Sequence, residues 1–175
     1  MQRDTSTRNA GREIRSHHDA GRTWGGTLQD ALVAGSIVCV VTAAVAALRG
    51  MSDSGSAVAP INATSHVVHG PEAGRVDVPD FKHTVLGLAI NAGASVFWAT
   101  LYERLFAGAG NRSDVGKALL GGGVVAATAY LVDYHLMPKR LTPGWEARVS
   151  GRSLAMIFGA MALSLPMRNL LKRLS

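Results

Sequence analysis

Charged side chains vanish from four stretches of the chain, residues 31–48, 84–102, 118–132 and 153–167, each fifteen to nineteen residues long. About twenty apolar residues in a helix cross the ~30 Å hydrocarbon core of a bilayer, so each stretch with its flanks is long enough to span. Strands of a membrane barrel alternate apolar and polar residues, and these stretches do not alternate. The pattern predicts an all-α integral membrane protein: a four-helix up-down bundle with spans near 28–48, 84–104, 117–137 and 149–168. Residues 1–26 are a polar, arginine-bearing tail, expected to be disordered because nothing in it could bury a core. Residues 27–175 form the membrane domain. The long connection between the first two spans holds a moderately apolar run, 57–69. It is too short to cross, and is expected to be an interfacial or partly re-entrant helix starting near Pro60, lying against the mouth of the bundle.

Within the spans, small side chains recur every four residues. Gly35, Cys39, Ala43 and Ala47 form one ridge, and Gly87, Asn91, Ser95 and Ala99 another. Such ridges let helices approach closely and pack by van der Waals contact. The expected helix starts follow from capping chemistry: Thr27 to Asp30 as a capping box with Asp in place of Glu, Ser113 before the third span, and Thr142 with Pro143 before the fourth. Pro166 is expected to kink the far end of the fourth span.

Composition and charge narrow the function classes. The net charge of +6 does not form a basic stripe. The Lys and Arg residues collect at the ends of the apolar stretches, so nucleic acid is not an expected partner; the bilayer is. Eleven of the 18 Lys and Arg residues fall in the tail, between spans two and three, and after span four. By the positive-inside rule this puts both termini in the cytoplasm. The single cysteine, Cys39, excludes an intrachain disulfide. No GxSxG, Walker or HExxH pattern occurs, and no enzymatic activity is expected.

Candidate chemistry is confined to a few polar groups. Asp133 near the end of span three and Arg152 near the start of span four are costly in lipid and lie at similar depth. They are predicted to pair, as a clasp or as part of a switch. Asn91 and Glu103 on span two extend a polar path that a carrier would use. His66, His69 and His135, with Asp133, offer the spacing for a transition metal. His83 and His135 offer two axial ligands for a haem. Neither cofactor is expected from composition alone. Asn62-Ala-Thr64 matches a glycosylation sequon, and His17-His18 forms an adjacent pair in the tail.

At Pro60-Ile-Asn-Ala-Thr-Ser-His66 and at Val132-Asp-Tyr-His-Leu-Met-Pro-Lys-Arg-Leu-Thr-Pro-Gly-Trp-Glu146 the chain resembles uncharacterised small four-span proteins of bacterial inner membranes. The resemblance implies a multi-pass inner-membrane location and no particular activity. The leading expectation is a non-enzymatic membrane protein that assembles with itself or with another membrane protein. The alternatives are an oligomeric small-solute or proton-linked carrier using Asp133 and Arg152, and a metal- or haem-binding protein of the outer face.

Overall fold

The computed structural model describes residues 23–108 and 114–172, and every regular element there is helical, with no strand among the described residues. The expectations for the tail, for His17-His18 and for Ser113 as a cap lie outside the described residues. In chain order the elements are α1 (Trp24–Ser54), α2 (Ala59–Thr64), α3 (His66–His69), α4 (Phe81–Leu105), α5 (Val115–Leu136), α6 (Gly151–Ser164) and α7 (Met167–Leu171). Four stretches are long and apolar enough to cross a membrane: α1, α4, α5, and α6 continued through α7. The first turn of α4 (Phe81–Val85) and the last of α5 (Val132–Leu136) are π-helical.

α1 begins one turn before the Thr27–Asp30 pattern. The Thr23 hydroxyl accepts from the Gly26 N–H at 3.2 Å, leaving Thr27 fully buried inside the helix. At the other end Gly55 takes φ +73, and its N–H closes on the Met51 carbonyl, the left-handed stop that a residue without Cβ accepts at no strain. Asp114 caps α5, its carboxylate accepting from the Lys117 N–H at 3.1 Å. For α6 the cap is Ser150, not Thr142. Residues 142–150 are taken up by a loop with a single 3-10 turn, Trp145–Ala147. The Thr142 hydroxyl instead donates to the Glu146 carboxylate at 2.7 Å.

The expected ridge on α4 is buried at all four positions, Gly87, Asn91, Ser95 and Ala99. On α1 the buried stripe runs through Ala31, Ala34, Gly35, Val38, Thr42 and Ala46, with Cys39 and Ala43 at its margin. The reason is that α1 contacts α4 on one flank and α6 on the other, so its buried stripe is centred between two partners. Gly35 lies against Val96, where a Cβ would come within 2.7 Å of the Val96 Cα. Seven residues further along α1, the Asn91 amide donates to the Thr42 hydroxyl at 3.4 Å. On the α5–α6 seam, Gly122 packs against the Ala162 carbonyl and Tyr130 meets Phe158 edge-on at 5.5 Å. Along both seams the residue numbers run in opposite directions.

Pro166 separates α6 from α7. It lacks the N–H that would bond the Ala162 carbonyl, the group that Gly122 covers.

The segment between α1 and α4 does not lie flat across an end of the helices. Ala59, Pro60, Asn62, Ala63 and Thr64 of α2 are buried, and Pro60 fits against Gly50 while the Ile61 carbonyl fits against Gly87. Asn62 organises this plug. Its amide donates to the carbonyls of Val76 and Val78 at 2.9 and 3.0 Å, and its oxygen accepts from the Thr84 hydroxyl at 2.7 Å. A side chain so engaged and fully buried has no amide nitrogen to offer a glycosyl transferase, which removes the sequon reading.

Candidate functional site

The inward stripe of α5 is made by Ala118, Gly121, Gly122, Val125, Ala126 and Ala129. Continued by one helical turn, that three-and-four spacing reaches Asp133. Half-buried there, Asp133 lines a partly open cavity of about 100 Å³. The cavity is bounded by Val38 and Thr42 of α1, by Asn91, Ser95 and Trp98 of α4, and by Met161 of α6. Thr64 and Val67 from the α2–α3 plug, and Leu141 to Pro143 with Trp145 from the α5–α6 loop, complete its wall. Most of the lining is apolar, with a few polar groups converging from different elements, the usual make-up of a small-ligand site.

The polar groups of the wall are not equally occupied. Thr42 donates to the Val38 carbonyl at 2.9 Å, and Thr64 to that of Pro60 at 3.3 Å. Asn91 spends its amide N–H groups on Thr42 and on the Cys39 carbonyl, which leaves its Oδ1 without a donor among the described residues. Ser95 is 5% exposed, and its hydroxyl has no hydrogen-bond partner among the described residues. Asp133 likewise makes neither a hydrogen bond nor an ion pair among the described residues. Its nearest charged influence is another carboxylate, Glu146.

The predicted Asp133–Arg152 pair is not formed. The buried face of α6 runs through Ser153, Leu154, Ile157, Phe158, Met161 and Ser164. Arg152 falls off that stripe, is exposed, and makes no ion pair among the described residues. The same stripe continues through Leu165 to Arg168, which is 5% exposed.

Arg168 is the arginine that turns inward, at the opposite end of the helices from the cavity mouth. It pairs with Glu103 at 3.3 Å and with Asp30. Asn169 donates to the same Glu103 oxygen at 3.1 Å and accepts from Arg168 at 3.1 Å, and Lys172 stands 4.0 Å from Asp30. Asp30 is therefore an ion-pair partner, not the helix cap its sequence context predicts. Glu103, expected to share a polar path with Asn91, is separated from it by twelve residues, about 18 Å of helix. It is fully buried within the Arg168 cluster.

The histidines do not assemble. His66 is engaged by backbone, with Nδ1 at 2.9 Å from the Ala63 carbonyl and Nε2 at 3.2 Å from that of Lys139. His83 is held by Asp80, Nδ1 to carboxylate at 2.7 Å, and its ring meets His69 edge-on. His135 packs against Tyr130. Among the described residues no group of three His, Cys, Asp or Glu side chains is disposed to hold a metal ion, so the His66, His69, His135 set is not brought together. For the haem pair, His83 keeps Nε2 free of the Asp80 bond, but His135 is exposed and packs against Tyr130, with no contact to His83 among the described residues. The carboxyl of Asp80 is held below the usual range first by the His83 backbone N–H and then by its ring.

No family model matches the chain, and neither a curated protein nor a solved structure does.

Proposed function

We propose that this is a multi-pass membrane protein, an up-down bundle of four spans, that binds a small polar solute in the cavity beside Asp133 and serves as a carrier for it. The observation that carries the reading is Asp133. A carboxylate directed inward with no protein partner is unfavourable unless something else satisfies it. The Arg168–Glu103–Asp30 cluster closes the opposite end, and the α2–α3 plug and the α5–α6 loop cover the cavity end. The basic residues beside the Arg168 end favour a cytoplasmic location for both termini, and we place the bundle in a bacterial inner membrane. The role is binding and passage, with no reaction assigned.

The reading is tested on the full chain in detergent by thermal unfolding against a panel of neutral and charged solutes of two to five heavy atoms. A ligand that binds only the folded state raises the midpoint as its concentration exceeds its dissociation constant. At least one solute is expected to stabilise the wild type and not Ala94→Phe, which fills the cavity. A panel without effect on the wild type would remove the reading.

A second reading, assembly with another copy, has its own observation. Gly123, Ala126 and Ala127 of α5 and Ala155, Gly159 and Ala162 of α6 line an open apolar groove, and a Cβ at Gly123 or Gly159 meets nothing within 4 Å. Small residues on an outward face suit close helix contact in lipid. Gly159→Trp is expected to lower the oligomeric state measured by light scattering. A monomeric wild type would remove this reading.

A further inference from the structure

We propose that the ligand of the cavity is a small primary alkylammonium ion, its nitrogen held by Asp133, Asn91 and Ser95 and its short carbon chain lying between Trp98 and Trp145. The inference rests on the solute-binding reading above and adds the ligand's charge and shape.

Charge comes first. Asp133 is the only charged side chain in the wall, and no Lys, Arg or His lines it. Behind the wall, Glu146 adds a second negative charge, held by its bond from Thr142. An anion would meet repulsion with no donor to answer it, and a neutral solute would leave the carboxylate uncompensated.

Donor count comes next. An alkylammonium carries three N–H donors and no acceptor. Three acceptors on residues that line the cavity have no donor among the described residues: the Asp133 carboxylate, Oδ1 of Asn91 and the hydroxyl of Ser95. Asn91 and Ser95 lie one turn apart on the same buried face of α4, so they point into the same space. Each is at least nine-tenths buried, at 9% and 5% exposure.

The walls then separate an organic cation from a bare metal ion. A hard cation such as Ca²⁺ seeks six to eight oxygen ligands, and this lining is mostly hydrocarbon. Trp98 and Trp145, each 8% exposed, line the cavity, and aromatic rings attract an ammonium and pack against methylenes. An apolar cavity of about 150 Å³ accepts benzene. The room here, about 100 Å³, suits an ammonium with roughly two to four carbons.

The test is calorimetric titration of the full chain in detergent, with tryptophan fluorescence recorded alongside, using n-propylammonium chloride. Sodium chloride at the same ionic strength and n-propanol, the neutral analogue of equal size, serve as comparisons. Propylammonium is expected to bind saturably and at least tenfold more tightly than propanol, the factor that a charge-assisted hydrogen bond supplies. Asp133→Asn is expected to weaken it tenfold or more, and Ser95→Ala about three- to tenfold. If Asp133→Asn does not fold, Ser95→Ala decides, and unchanged affinity there overturns the proposal. Propanol binding as tightly as the amine, or sodium saturating the site in its place, overturns the ammonium assignment and leaves the cavity a solute site. No saturable binding by any of the three, together with no stabilisation by any member of the wider panel, removes both.

Discussion

Arg168 and Asp133 are both charged, both lie on the inward stripe of a helix, and both sit near the end of a long apolar segment. Their surroundings differ in kind. Arg168 meets Glu103, Asp30 and Asn169, so each charge in that cluster has an opposite charge or an amide against it. Asp133 meets a cavity, two further groups without donors, and a second carboxylate nearby. The charges of the Arg168 cluster are satisfied within the chain, whereas Asp133 has no hydrogen-bond or ion-pair partner among the described residues. A buried pair can hold helices in register, whereas a half-buried, unpaired carboxylate beside a cavity is a candidate binding group.

The sharpest way to break this comparison is Arg168→Met. Removing one partner of a buried ion pair strands the other, and the loss is expected to be about 3–5 kcal/mol, read from chemical unfolding in detergent. Glu103→Gln in the same chain should recover part of it. A loss as small as that of the exposed Arg152→Met would show that the cluster holds nothing together.

Next in size is Gly122→Ala. The added methyl would overlap the Ala162 carbonyl, and overpacking of that kind costs about 1–3 kcal/mol. Gly123→Ala, its neighbour facing open space, should be nearly neutral. Equal effects at the two positions would contradict the α5–α6 seam.

Asp133→Asn should move stability the other way, by a gain on the order of 1 kcal/mol, because it removes an uncompensated charge. A clear destabilisation would mean that the carboxylate has a partner and that the two ends are alike after all.

The smallest effect concerns the plug over the cavity. Asp80 has its carboxyl pKa lowered by the His83 backbone N–H and ring. A lowered folded-state value contributes stability above the ordinary carboxyl range, near 3.9, and loses it as pH falls through the folded-state value. Amide exchange across residues 55–85, corrected for its intrinsic pH dependence, should therefore lose protection as pH drops below about 4. Asp80→Asn should flatten that dependence.

Much of this was legible from residue spacing. The apolar stretches marked the long helices, Pro60 fell in the first turn of α2, and the Gly87–Asn91–Ser95–Ala99 ridge proved to be the buried face of α4. The Asp133–Arg152 pairing misled because depth was matched without helical phase. Arg152 lies one position outside the stripe that Ser153 and Leu154 begin, and Arg168 lies on it. The phase was present in the sequence, since 154, 157, 158, 161, 165 and 168 follow a helical period. Counting Arg168 only among the basic residues that follow span four hid it. The start of α1 was misplaced for a related reason: Asp30 in a capping pattern is locally plausible, and nothing local announces a partner 138 residues away.

By itself the sequence determined the helical class, the four long apolar segments and the covered end near Pro60. These follow from hydropathy and capping, which act over one or two turns of chain. Only the tertiary structure decided which charges meet. Pairing depends on the phase of two or three helices at once, and a rotation of 100° per residue moves a side chain from the core to the surface. That geometry left Arg168 enclosed by acids, and Asp133 facing a cavity that no other described residue fills.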